Sequence, residues 1–409
     1  MYNYLHLLEK VTDFGTAKND RTGFGTLSIH GNMEVFHPCE VFPAVTTKPL
    51  TYKSVVGELL NFIKGSSYAS DFRELKCKVW DKNANKEGDN FSNAWLKNPM
   101  REKEDHLGRI YGVQWRELRD IKIMPNKTEK ELFQIEHMVN DLGYKNEGEV
   151  ANGVVLNRTI DQLKDAVNKL QNDPFSRRII IDAWNPADLH EMALPPCHVF
   201  QHYMCREMSA RERISETAHR LFERYFNGLE LGIPDIENGF SIAKKNMLSK
   251  DEDFIPTNEF FLSEVEGMIE ESLGGDCTEE QCHNFIDELG IDVPRVGVDL
   301  LMYQRSCDLM LGAPFNIASY ATMLQIMARI SNLCIGNLIY VTGDTHIYSN
   351  HMDAVREQLK RNTKKNVPNL VISDNIRSLE DVEKAKCEDF VLTNYVHHPA
   401  LENPTPMAN

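Results

Sequence analysis

The chain has 409 residues, 42% of them hydrophobic, which is enough to bury a large core and, by typical domain sizes, to make roughly two or three units. No run approaches the ~20 apolar residues that cross a bilayer, and the start lacks the basic-then-apolar layout of a leader, so the expected location is the cytoplasm. The net charge of −16 is concentrated: Arg206 to Pro294 holds 21 acidic and 8 basic residues, and everything else is nearly neutral.

In chain order, Met1 to Lys10 shows a mixed helical pattern. Tyr52 to Lys64 places Val55, Val56, Leu59, Leu60 and Ile63 at helical spacing and stops at Gly65, which predicts a buried helix carrying the carboxylate Glu58. Arg178 to Trp184 is a predicted strand. Within the acidic stretch, Ser215 to Phe226 and Asn258 to Leu273 are amphipathic, and Thr278 with Gln281 forms a capping-box signature for a third helix. Ile317 to Leu333 reads as a long apolar helix and Asn337 to Val341 as a strand. The expected organisation is therefore an α/β body made of 1–205 and 295–409, with an acidic helical insertion over 206–294.

The nine cysteines include no CxxC pair, so reduced thiols are expected rather than disulfides or a zinc ribbon. Cys277, Cys282 and His283 lack a fourth ligand at a familiar spacing, and no metal is expected. No basic stripe interleaved with aromatics argues for nucleic acid.

The segment MALPPCH (192–198) sets Cys197 after two prolines, which fix the backbone and keep a helix from engulfing the thiol. Such a thiol becomes a nucleophile when a nearby positive charge lowers its pKa; taken alone, a structural cysteine is the commoner outcome. Its company changes that. QRSCD (304–308), LGAPFNIASY (311–320), FSRRIII (175–181), GDTHIYSNH (343–351), YGVQWR (111–116), NDRTGFGT (19–26) and FPAVTTK (42–48) together resemble the thymidylate synthase and pyrimidine nucleotide hydroxymethylase family, in the family's order and over nearly the whole chain outside the insertion.

That resemblance implies a mixed, mostly antiparallel sheet with flanking helices, a symmetric homodimer, and dUMP and 5,10-methylenetetrahydrofolate as substrates. Cys197 would add to C6 of the uracil ring, with Arg305 favouring the thiolate. Glu58 and Tyr111 would manage protons. Arg21, Arg305 and Ser306 would hold the phosphate, joined by Arg177 and Arg178 from the partner subunit. Asn316 would read uracil, because a carboxamide can donate to O4 and accept from N3–H in one plane, whereas cytosine presents the opposite pattern. His346 and Tyr348 would bind the ribose, and Lys48, Trp80, Asp308 and Gly312 would form the folate side. His198 is read as a local hydrogen-bonding residue.

Three features depart from the family pattern: Asn83 where a second tryptophan is usual, the insertion, and a polar last residue, Asn409, where an apolar one closes the site. Water at the exocyclic methylene intermediate gives 5-hydroxymethyl-dUMP; hydride gives dTMP and dihydrofolate. The coincidence of insertion and polar terminus favours the hydroxymethylase, with thymidylate synthase as the alternative. A silent dUMP-binding homologue is disfavoured by the joint presence of Cys197, Glu58, Arg305 and Asn316.

Overall fold

The computed structural model describes residues 2–20, 23–85, 94–233, 236, 256–364 and 366–402. Arg21 and Asn409, both singled out above, lie outside these residues.

The main sheet has six strands, β1 (Thr16–Lys18), β2 (Thr26–Phe36), β6 (Ile179–Asp182), β7 (His198–Glu207), β8 (Val296–Asp308) and β9 (Cys334–Tyr348), in the order β1-β2-β9-β8-β7-β6. Every neighbouring pair is antiparallel except β8 and β9. A parallel pair needs a long crossover, and helix Gly312–Ile330 between those two strands supplies it. Strands β3 (Leu118–Met124), β4 (Lys145–Val150) and β5 (Gly153–Ile160) form a small separate sheet, and β10 (Asn369–Ile372) pairs with β11 (Phe390–Thr393). The expected mixed, mostly antiparallel architecture with flanking helices is the one observed.

Alternation along β8 shows how the sheet is used. Val298, Leu300, Met302 and Gln304 are buried on one face, while Leu301 and Tyr303 on the other are only partly covered. Helices α1 (Tyr2–Phe14), α2 (Tyr52–Lys64) and α3 (Gly312–Ile330) belong to the core on the buried side. Helix α3 is buried on almost every side, which explains its nearly unbroken apolar sequence. The opposite sheet face carries a mostly apolar row in register, Ile180, His202, Leu301, Ile339 and Val35, with exposed Met33 and Met204 beside it.

Where sequence and structure differ, the cause is local. Helix α3 starts at Gly312 rather than Ile317, because Pro314 falls in the first turn, where its missing N–H leaves no intrahelical bond unmade. Strand β9 runs to Tyr348 rather than ending at Val341. The polar run through Gly343 resembles a turn, yet a Cβ at Gly343 would lie 2.8 Å from the Arg305 carbonyl oxygen, so the glycine allows close strand contact. Helix Tyr52–Lys64 has the expected bounds, and Gly65 closes it in the left-handed conformation at φ 75°.

Three helices of the acidic stretch are described: α4 (Ala210–Phe226), α5 (Asn258–Leu273) and α6 (Glu279–Glu288), the last with the expected Thr278/Gln281 capping box. Their shared core also takes in Cys334 and Val371 from the main body. None of the helices among the described residues is long and apolar enough to cross a membrane.

Gly57 precedes Glu58 inside α2 for a steric reason: a Cβ there would sit 1.9 Å from the Leu75 carbonyl oxygen. Gly57→Ala should therefore destabilise the protein by about 1–3 kcal/mol despite the better helix propensity of alanine. Thermal unfolding checks this, and an unchanged or raised Tm would refute the packing argument.

Candidate active site

The site is built around the loop entering β7. Arg305, on neighbouring β8, donates its backbone N–H to the Cys197 carbonyl (2.8 Å), and its guanidinium donates to the carbonyls of Pro196 (2.7 Å) and Pro195 (3.1 Å). The Cys197 N–H in turn donates to the Tyr111 hydroxyl (2.7 Å). Beyond Cys197 the pairing of β7 with β8 shifts register between His198 and Phe200, a bulge of the kind that re-aims side chains at strand ends. Thus the two prolines present bare carbonyls, and one arginine grips both while lying beside the cysteine. The guanidinium also lies 5.1 Å from the centre of the Trp184 ring, an aromatic support that sequence reading missed.

A cleft of about 750 Å³ opens at this point. Its lining includes Cys197, Glu58, Tyr111, Arg305 and Asn316, together with Ser306, His346 and Tyr348 and, from the expected folate side, Trp80, Asp308 and Gly312. Residues expected to act together are therefore gathered from widely separated parts of the chain. Lys48 is not in the lining. Its ammonium donates to the Met310 carbonyl, and burial lowers its pKa to about 8 against the opposing pull of Asp308. Arg177 and Arg178 are exposed and lie outside the cleft of their own chain.

Glu58 sits in an aromatic shell. The Trp80 indole N–H donates to its Oε1 (2.9 Å), and Trp80 packs edge-on to Tyr111 and Phe62 at 5.9 and 6.1 Å between ring centres. Tyr111 is stacked between Phe62 (4.7 Å) and His198 (4.2 Å). Burial raises the Glu58 pKa from 4.5 to about 7, with the indole bond pulling the other way. This carboxyl can hold or release a proton near neutrality, as a general acid or base must. Burial also lowers the His198 pKa to about 3, so the imidazole is neutral, with Nδ1 2.8 Å from the Tyr320 hydroxyl. The expectation that His198 acts as a local hydrogen-bonding group fits this geometry.

Asn316 is oriented by a residue to which sequence reading gave no role. Gln304 donates to the Ser306 carbonyl (2.8 Å), which fixes its amide so that Oε1 accepts from Asn316 Nδ2 (3.1 Å) and from the Tyr340 hydroxyl (2.6 Å). The second N–H and the Oδ1 of Asn316 remain as one donor and one acceptor. The only sequence signal was a glutamine at a core-facing position of a strand. Asp308 accepts from the Met310 and Leu311 N–H groups (2.9 and 3.3 Å), and the His346 and Tyr348 rings meet edge-on at 5.0 Å. Among the described residues, no group of three or more His, Cys, Asp or Glu is placed to hold a metal.

A cysteine beside a cation, a buried carboxyl poised near neutrality and an oriented carboxamide in one cleft define an enzyme of the nucleophilic, covalent-catalysis class. The family model described as thymidylate synthase matches residues 2–221 and 280–407. The thymidylate synthase of Pseudomonas putida is 32% identical over 416 aligned residues, covering 99% of each chain, and that of Bordetella parapertussis is 30% identical with the same coverage. The bifunctional dihydrofolate reductase-thymidylate synthase of Zea mays is 31% identical over 401 aligned residues, covering 98% of this chain and 53% of the maize protein. The chain belongs to the thymidylate synthase family. It is a folate-dependent one-carbon transferase that modifies C5 of dUMP.

The environment of Glu58 carries a pH prediction. The kcat/KM profile, which reports free-enzyme groups, should show an inflection near pH 7 that Glu58→Gln abolishes and Trp80→Phe moves upward, since the indole bond favours the carboxylate. A downward or absent shift in Trp80→Phe would show that the bond does not tune the acid. The same shift makes this one group stabilising at low pH: its contribution is full below about 4.5 and is lost as pH rises through 7, on the order of 3 kcal/mol.

Proposed function

We propose that the chain is a thymidylate synthase, converting dUMP to dTMP and releasing dihydrofolate. The observation that carries this reading is the closed wall of Trp80, Tyr111 and Phe62 around Glu58, beside Cys197. Trp80 is only 5% exposed, and an apolar wall on this side of the cleft leaves water fewer places beside the methylene intermediate, which favours hydride. The preference for a hydroxymethylase rested on the insertion and on Asn409. None of the described residues of 206–294 lines the cleft, so the insertion has no evident bearing on which nucleophile arrives. Asn409 lies outside the described residues. The relatives named above, all called thymidylate synthases, support the same choice.

In this reading the Cys197 sulfur adds to C6 of the uracil, and the electrons move toward C5 and O4. Arg305 stabilises the thiolate and, with Ser306 and Arg21, the phosphate. Asn316 uses its remaining donor and acceptor on O4 and N3–H, and His346 and Tyr348 meet the ribose. Bound methylenetetrahydrofolate, flanked by Trp80, Asp308 and Gly312, supplies the carbon to C5 and then the hydride. Glu58, assisted by Tyr111, handles protons at O4 and C5, and Cys197 leaves as C6 regains its double bond. Lys48 acts on the folate side from behind Asp308. We also read the chain as a catalytic body formed by 1–205 and 295–409 carrying an acidic helical segment, 206–294, whose first helix is fastened to that body and whose ends fall within the family match.

Purified protein with dUMP and methylenetetrahydrofolate should yield dTMP and dihydrofolate in equal amounts, and Cys197→Ala should abolish turnover while dUMP still binds. Accumulation of 5-hydroxymethyl-dUMP without dihydrofolate absorbance would restore the hydroxymethylase.

The functional unit in this reading is a homodimer. The half-exposed, mostly apolar sheet face supports this reading, in which Arg177 and Arg178, exposed and outside the cleft of their own chain, would serve a neighbour's phosphate site. Mixing inactive Arg177→Ala and Cys197→Ala chains should regain part of the activity, because one mixed dimer site is then intact. Failure to recover any activity at all mixing ratios would mean that the sites are not shared.

A further inference from the structure

Helix α4 turns a charged stripe toward the catalytic body, while Ala218, Leu221 and Phe222 pack among the insertion helices. Glu216 accepts the Ile335 N–H (3.1 Å), and Glu223 accepts both the Ile372 N–H (2.9 Å) and Arg329 (2.9 Å). Arg220 bonds to Glu216 (2.8 Å) and to the Leu333 carbonyl (3.1 Å). Between stripe and body lies a second, partly open cavity of about 480 Å³, sharing no lining residue with the active-site cleft.

A seam with a purely structural role would have its buried polar groups paired. This one leaves several open. His219 and Gln325 both line the cavity and are each only 1% exposed, yet neither ring nitrogen of His219 makes a hydrogen bond, Nε2 lying 4.0 Å from a Glu223 carboxylate oxygen, and the Gln325 carbonyl oxygen accepts none among the described residues. Burying such a group unmet is unfavourable. The lining holds four carboxylates and four guanidiniums. Glu216 is neutralised by Arg220, Glu223 by Arg329 and Asp374 by Arg377, and exposed Asp292 acts on Arg220, whereas half-buried Arg224 bonds only through Nε, to the Glu230 carbonyl (2.7 Å), and its terminal nitrogens reach no acceptor among the described residues.

The cavity therefore offers donors at Arg224 and His219 and an acceptor at Gln325. We propose that it binds a small anion carrying its own N–H donors, the chemistry of a nucleoside monophosphate, with the phosphate at Arg224 and His219 and an N–H edge of the base at Gln325. The volume lies within the ~300–1,000 Å³ of small-molecule sites. Both walls lead to the cleft. Helix α3 carries Gln325 nine residues after Asn316, roughly 14 Å along its axis at 1.5 Å per residue, and β9 runs from Ile335 in this cavity to His346 in the cleft.

Equilibrium dialysis decides the matter: nucleotide bound per chain is measured with labelled dUMP, and with each other deoxynucleoside monophosphate beside saturating dUMP. A second equivalent of at least one of them is expected. Arg224→Ala and Gln325→Glu should each weaken it at least tenfold without altering the first equivalent of dUMP, and the uncharged nucleosides should not bind there. A single equivalent of dUMP with none of the others retained, or second-site binding indifferent to Arg224→Ala, would overturn the proposal and leave a water-filled cavity. Arg224 is half-buried and outside both cores, so its variant should stay folded if Gln325→Glu does not.

Discussion

Arg305 holds the loop before β7 by three hydrogen bonds, one from its backbone and two from its guanidinium. A proline carbonyl has no N–H of its own residue competing for a place in the sheet, so the PPC sequence leaves acceptors that only a neighbouring donor can satisfy. Because the donor belongs to β8, the position of Cys197 is referenced to the centre of the main sheet rather than to a flexible surface loop. The same guanidinium lines the cleft together with Cys197, so the group that positions the nucleophile also brings a fixed positive charge to its side of the site.

Opposite this clasp, the molecule keeps a carboxyl in an aromatic shell. Glu58 owes its shifted acidity to burial, moderated by one indole bond, and Tyr111 is held between Phe62 and His198 so that its hydroxyl points at the Cys197 backbone. A neutral His198 is a condition of this arrangement, since an imidazolium in the stack would introduce a competing positive charge. Reactivity here comes from low dielectric and fixed dipoles, and the folding penalty of an acid held away from water is the cost of keeping a proton available near pH 7.

Helix α2 was legible from period and stop signal alone, because apolar spacing and Gly65 both report on the backbone. The gathering of Glu58, Cys197, Arg305 and Asn316 was legible only through the joint resemblance of many motifs, since no local spacing brings those positions together. What stayed hidden were contacts between elements. Gln304 looked like one more letter of a motif until the strand pairing set it beside Asn316, and Trp184 gave no sign that it would lie over a guanidinium. The extension of β9 past Val341 was hidden for a related reason: Gly343 signals a turn in isolation and a close strand approach in context.

By chain order α4 lies within the acidic stretch, but by hydrogen bonding it is fastened to the body, with two of its carboxylates accepting backbone N–H groups at Ile335 and Ile372. Anyone trimming this protein at the borders of its unusual composition would cut away the partners of two buried amides and of Arg329, leaving raw edges on β9 and β10. Asn227 donates to the Ile372 carbonyl (3.0 Å) and Asn258 to the Cys39 carbonyl (3.3 Å), so the natural place to shorten the chain lies between those two residues. Composition marks where foreign-looking sequence begins, but the pairing of buried donors marks where a removable piece begins, and in this molecule the two borders are a helix apart.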